Sequence, residues 1–177
     1  MNPTPKDFCE SHDAYLENRL LALPYKTMAE IWDACPRADW LIWILEKTGQ
    51  NMDSKTLRLF ACWCVRETPL SDGRKVWDLL TDERSRNAVI VAERFANGEA
   101  TEEERDAAWF AAPSARASSR AAGDAAYDAA WSAASNAAWS AAWAATWSVS
   151  AAKDAESRGQ AFQADHFRTL FKNPFKN

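Results

Sequence analysis

Apolar residues recur along this chain three and four positions apart, the spacing of one face of an α-helix, in one segment after another. Tyr15, Leu16, Leu20 and Leu23 predict a first helix that starts at Asp7 or Asp13 and runs to about Leu23, where Pro24 ends it. Thr27 followed by Glu30 is a capping-box pattern for a short helix with Ile31, Trp32 and Cys35 on its apolar side, stopped by Pro36. Asp39 opens Trp40-Leu41-Ile42-Trp43-Ile44-Leu45, a run too apolar for a surface helix, closed by Lys47 and Gly49. Ser54 opens the next helix, apolar at Leu57, Phe60, Ala61, Cys64 and Val65 and terminated by Pro69. Ser71 or Asp72 leads into Val76, Trp77, Leu79 and Leu80, and Ala88 to Ala96 follows with Asn97-Gly98 as its stop. Thr101 and Glu104 form a second capping box ahead of Trp109 and Phe110, and Pro113 kinks or ends that helix.

Ala107 to Ala152 then reads, for most of its length, as a four-residue repeat of two alanines, an aromatic or polar residue and a small polar one. Alanine is the best helix former, so the segment predicts one long helix between the natural breaks at Gly123 and Gly159. Four residues advance about 400° at 3.6 residues per turn, so each aromatic sits about 40° further round than the last. Tyr127, Trp131, Trp139, Trp143 and Trp147 therefore wind round the cylinder and require partners on more than one side. After Gly159, the positions of Phe162, His166, Phe167, Leu170 and Phe171 predict a last amphipathic helix ended by Asn173-Pro174. The Ala-rich segment shows no alternation of period two, and although Trp40 to Leu45 alone could form a strand, the Asp39 start and the Glu46-Lys47 to Gly49 end favour helix. The expected fold is all-α: a single domain over residues 1–177, a bundle of about seven to nine helices around the Ala/Trp-rich one, with residues 1–6 and 173–177 as loose ends. Trp40, Trp43, Phe60 and Trp63 join the repeat aromatics as expected core.

Composition narrows the function. Ala129 to Ala152 carries no charge over 24 residues, long enough to span a bilayer, but seven of them are Ser, Thr or Asn and Val149 is the only aliphatic larger than alanine. A buried helix fits better than a membrane span. Net charge is −4 and the arginines are scattered among acids, which argues against a direct nucleic-acid footprint. The four cysteines form no C-x-x-C pair and read as small reduced hydrophobes. The N-terminal region shows no signal-peptide pattern, so the cytoplasm is the expected compartment.

Candidate chemistry is sparse. The sequence has no nucleophile elbow, glycine-rich phosphate loop or H-E-x-x-H motif, and no cofactor or metal site is expected. His166, Asp124 and Asp128 are the groups an unrecognised enzyme site would use. Acids cluster at Asp82, Glu83, Glu99, Glu102, Glu103, Glu104 and Asp106. They read either as a patch for a basic protein partner or as first-turn residues that complement helix dipoles.

Four segments in this order, Ala38-Asp39-Trp40-Leu41-Ile42-Trp43, Leu57-Arg58-Leu59-Phe60-Ala61-Cys62-Trp63-Cys64, Ala92-Glu93-Arg94-Phe95-Ala96-Asn97-Gly98-Glu99-Ala100-Thr101 and the Ala-aromatic tetrads, resemble an all-α immunity protein family of bacterial polymorphic toxin systems. The resemblance covers about residues 27 to 170. It implies a small cytosolic protein that binds a cognate toxin and silences it stoichiometrically. A phage or mobile-element protein that blocks a defence effector, such as an anti-CRISPR, could use the same scaffold, and a structural or homo-oligomeric helical protein is a further reading.

Overall fold

The computed structural model describes residues 2–12, 20–70, 72–111 and 149–176. The fold is all-α. Seven helices are described: α1 Pro5–Glu10, α2 Met28–Ala34, α3 Ala38–Lys47, α4 Ser54–Glu67, α5 Glu83–Ala96, α6 Glu102–Ala111 and α7 Val149–Leu170, with a one-turn 3-10 helix at Val76–Leu79. Tyr127, Trp131, Trp139, Trp143 and Trp147, with Asp124 and Asp128, lie outside the described residues, and so does most of the stretch expected to form the central helix.

Among the described elements, α4 holds the centre. It packs against α5, α7 and the 3-10 turn, while α5 pairs with α6 and α7 also packs against α3. Its buried residues Leu57, Arg58, Phe60, Ala61, Cys62, Cys64 and Val65 extend well beyond one stripe, as burial between neighbours on both sides demands. Cys62 and Cys64, two apart and on different faces, are both fully buried for that reason. α3 is similar: Leu41 to Leu45 are all buried, in line with its continuous apolar run. Phe60, at 1% exposed, meets Phe167 edge-on at 5.1 Å, and Phe167 lies 6.0 Å from Trp32 and 4.6 Å from Phe171. Trp43 is buried and contacts Phe8 edge-on, whereas Trp40 and Trp63 are only partly buried against the core.

Local signals set most helix ends. Thr27 and Glu30 close the expected capping box on α2, and Thr101 and Glu104 close theirs on α6. Gly49 and Gly98 take φ of 66° and 76° at the exits of α3 and α5, a left-handed conformation that glycine adopts without strain. Other boundaries differ from expectation. α4 is capped by Asp53, whose carboxylate accepts from the backbone N–H groups of Lys55 and Thr56. α5 starts at Glu83, earlier than the apolar run, because Asp82 caps it through the Ser85 N–H. Before Val76 the chain makes a tight turn, with Arg74 N–H donating to Asp72 Oδ1 and Pro69 bridging Lys75 as an isolated antiparallel pair. Gly73 takes φ 86° there, which no helix can include, and the segment continues as a single 3-10 turn.

Gly159 does not break the chain. α7 runs through it for 22 residues, about 33 Å, with Gly159 buried. The cost of about 1 kcal/mol for a helical glycine is outweighed by packing on both sides, with Ala155, Gln163, Ala164 and Phe167 all buried.

The expected loose ends are tied down instead, and both are tied to α2. At its N-terminus, Met28 N–H donates to the Pro3 carbonyl at 3.0 Å and Ala29 N–H to Asn2 Oδ1 at 3.2 Å, satisfying two donors that the helix itself leaves open. Thr4 and Asp7 form a capping box that makes Pro5 the first residue of α1. At the other end of α2, Arg168 donates through Nε to the Trp32 carbonyl at 2.7 Å and through Nη2 to that of Cys35. Asn173 Nδ2 donates to the Ala29 carbonyl and Asp33, Lys176 pairs with Asp33, and Phe175 meets Phe8 edge-on.

Candidate functional site

The α5–α6 hairpin carries all seven acids singled out in the sequence, but it does not assemble them into one patch. α5 has 14 residues and is about 21 Å long, so Asp82 and Glu83 sit at one end and Glu99 to Asp106 at the other. Four of the seven are engaged with nearby cations. Asp82 caps α5 and accepts from Arg84 Nε at 3.2 Å. Glu102 and Asp106 both hold Arg105, at 2.8 and 2.7 Å. Glu104 serves the capping box and lies 3.7 Å from Arg94. Glu83, Glu99 and Glu103 are exposed and form no ion pair among the described residues. The Glu103 carboxyl is held below its usual range by its own backbone N–H and the Thr101 hydroxyl.

The hairpin is fixed to α4 by stacked arginines. Phe95 on α5 has the Arg105 guanidinium 4.7 Å from its ring centroid and that of Arg58 at 5.1 Å. Burial, together with the nearby Arg105 charge, lowers the Arg58 pKa from its usual value. Aromatic faces stabilise such cations by about 0.5–2 kcal/mol each. One helical stretch further along α4, Arg66 donates Nε and Nη2 to the two oxygens of Glu93 at 2.5 and 2.7 Å, a bidentate link between α4 and α5.

At the Glu83 end, α5 and the last residue of α6 enclose an open groove of about 530 Å³ lined by Glu83, Arg84, Arg86, Asn87, Ile90 and Ala111. Ile90 is 40% exposed and Phe110, on α6, is 78% exposed. Neither is among the sequence-predicted site residues: Ile90 lies inside the segment Ala88 to Ala96, and Phe110 follows the Thr101/Glu104 capping box. The register of α5 explains Ile90, because Val89 and Ala92 take the inward positions and leave residue 90 outside.

His166 is a stacking residue in this structure. Its ring lies 3.8 Å from that of Trp63 at 19°, and Phe162 stacks on Trp63 at 5.0 Å. Burial lowers the His166 pKa below the usual value. A buried relay sits beside it, in which Gln163 Nε2 donates to Thr68 Oγ1 at 2.8 Å and Thr68 donates to the Cys64 carbonyl at 2.7 Å. Among the described residues, no group of three or more His, Cys, Asp and Glu side chains could hold a metal ion, and no helix is long and apolar enough to cross a membrane. No family model, curated protein or solved structure matches the chain.

Proposed function

We propose that this protein is a non-enzymatic inhibitor that neutralises a toxin or defence effector by stoichiometric protein–protein contact, with the α5–α6 hairpin as its docking element. The observation that carries this reading is the groove at the Glu83 end. There Ile90, 40% exposed, stands beside Ala111 among Glu83, Arg84, Arg86 and Asn87, the mixture of apolar centre and charged rim that protein interfaces use. The stacked arginines and the Arg66–Glu93 link hold the hairpin rigidly on α4, so little ordering is lost on binding. Glu99 and Glu103 at the far end offer uncompensated negative charge to a basic partner, which suits an effector that itself handles nucleic acid.

This is the role that resemblance to the all-α immunity proteins implies, and it is exercised in the cytoplasm without a cofactor or direct nucleic-acid contact. A mobile-element protein that blocks a host defence complex would use the same contacts. The enzyme alternative would draw on His166, whose ring is instead committed to the Trp63 stack. Tagged protein recovered from its native host, analysed by mass spectrometry beside the Ile90→Asp variant, tests the reading. One stoichiometric partner, lost with Ile90→Asp while the melting temperature is kept, supports it. A partner retained by both Ile90→Asp and Phe110→Asp would move the docking element elsewhere.

A further inference from the structure

Trp77, in the 3-10 turn, has two guanidiniums against its ring: Arg66 at 4.2 Å and Arg86 at 5.5 Å from the centroid. The two charges are handled differently. Arg66 is matched by the Glu93 carboxylate, whose hydrogen bonds raise the Arg66 pKa. Arg86 has no such match: among the described residues it forms no ion pair, and its solvent-shielded Nε has no hydrogen-bond acceptor. The shielded Nε is out of reach of a partner in the groove; the two Nη groups, which are not shut off and form no hydrogen bond among the described residues, are the part of the guanidinium left to a ligand. Arg86 also lines the groove. Of the other charged groups there, Arg84 is already paired with Asp82, and Glu83, three residues before Arg86 on α5, makes no ion pair with it. The unpaired charges of the groove are therefore Glu83 and Arg86, and Arg86 is the cation among them.

The geometry points to Arg86 as a carboxylate-accepting anchor: a protein partner seats an Asp or Glu side chain on its guanidinium while an adjacent aliphatic side chain packs on Ile90 and Ala111. This rests on the reading of the hairpin as the docking element and adds the chemistry of what enters it. A planar guanidinium accepts a carboxylate through two parallel hydrogen bonds, a geometry an ammonium lacks. A peptide acid is favoured over a nucleic-acid phosphate because Ile90 and Ala111 offer an aliphatic neighbour of the acid a place to pack, while Glu83 on the rim and the net charge of −4 repel a polyanion more than a single carboxylate. The anchor lies at the opposite end of α5 from Glu99 and Glu103, so one partner can present a basic face to that end and a single acid to the groove.

The test pans the full chain against a displayed library of random 12-residue peptides, then measures selected synthetic peptides by fluorescence anisotropy. Wild type is compared with Arg86→Ala, Arg86→Lys, Ile90→Asp and, as a control outside the groove, Arg74→Ala. Selected peptides should carry Asp or Glu beside Leu, Ile or Val. Arg86→Ala should weaken them at least about ten-fold, Arg86→Lys should recover only part of that, and Arg74→Ala should change nothing. Replacing the peptide acid by its amide should cost as much on wild type, a comparison that does not involve the variant, and nothing further on Arg86→Ala, whose fold is checked by circular dichroism. Peptides without acids, or equal binding to Arg86→Ala, overturn the anchor. If such peptides still lose affinity on Ile90→Asp, the docking face stands and only the anchor falls. No selected peptide, or binding indifferent to both positions, overturns both.

Discussion

Arg168 is the side chain through which α7 hydrogen-bonds to α2, and Arg168→Met tests whether that contact matters as its geometry implies. Methionine keeps most of the aliphatic stem and deletes the guanidinium, leaving the carbonyls of Trp32 and Cys35 without their donor. Each hydrogen bond from a charged donor contributes about 1.5–3 kcal/mol, so two set an upper range of about 3–6 kcal/mol. Two effects reduce it. The side chain is 18% exposed, so water reaches part of the vacated site, and removing a half-buried cation recovers some of its desolvation cost. A loss of about 2–4 kcal/mol is expected, a large fraction of the roughly 5–15 kcal/mol that stabilises a domain. The ion pair to Asp165 contributes little, because that carboxylate is 82% exposed, and Asp165→Ala should cost under about 0.5 kcal/mol. Arg168→Lys, with one compact charge in place of a fork, should fall between. Guanidinium unfolding followed by tryptophan fluorescence and circular dichroism reads all three. A loss under about 1 kcal/mol for Arg168→Met, or equal losses for Arg168→Met and Asp165→Ala, would refute the assignment of Arg168 as the C-terminal cap of α2.

Two further outcomes follow from the buried polar groups. Thr68→Val should cost about 1–3 kcal/mol by orphaning the Gln163 amide, while the Cys64 carbonyl keeps the Thr68 backbone N–H, and adding Gln163→Leu should recover part of the loss; a double variant worse than the sum of the singles in chemical denaturation would contradict the relay. All four cysteines are reduced and buried, and burial raises the thiol of Cys35 to about 11 and that of Cys62 to about 12. At pH 8 a disulfide reagent should therefore label none of them in the native protein and all four in denaturant, while rapid native labelling would contradict the packing.

What the sequence made legible was local. The pairs Thr27/Glu30 and Thr101/Glu104 and the exits at Gly49 and Gly98 each depend on groups within a few residues, and each appears in the structure as expected. Gly159 carries a break signal in sequence but sits inside α7, because a glycine's intrinsic helix penalty is small beside the packing of Ala155, Gln163 and Phe167 around it. The ends looked loose because Asn2, Arg168, Asn173 and Lys176 find their partners 27 to 144 residues away, a distance at which sequence periodicity carries no information. The central position of α4 was hidden for the same reason: Arg58 and Cys62 lie off the stripe of Leu57, Phe60, Ala61, Cys64 and Val65, and only the neighbouring helices bury them.

The candidate site followed the same division. Seven acids stood out by proximity in sequence, yet α5 separates them and Arg84, Arg94 and Arg105 neutralise most of them. The groove residues did not stand out, since nothing distinguishes Arg86 or Ile90 along the chain. Arg66, Trp77, Arg86 and Glu93 become one cluster only when α4, the 3-10 turn and α5 meet.

The measurement that bears most directly on the central claim is titration of the recovered effector's activity with this protein at effector concentrations far above the dissociation constant. A stoichiometric inhibitor gives a linear fall that reaches its floor at one equivalent, is independent of incubation time, and is shifted or abolished by Ile90→Asp. Complete loss of effector activity at a small fraction of an equivalent, deepening with time, would show turnover and contradict a stoichiometric inhibitor.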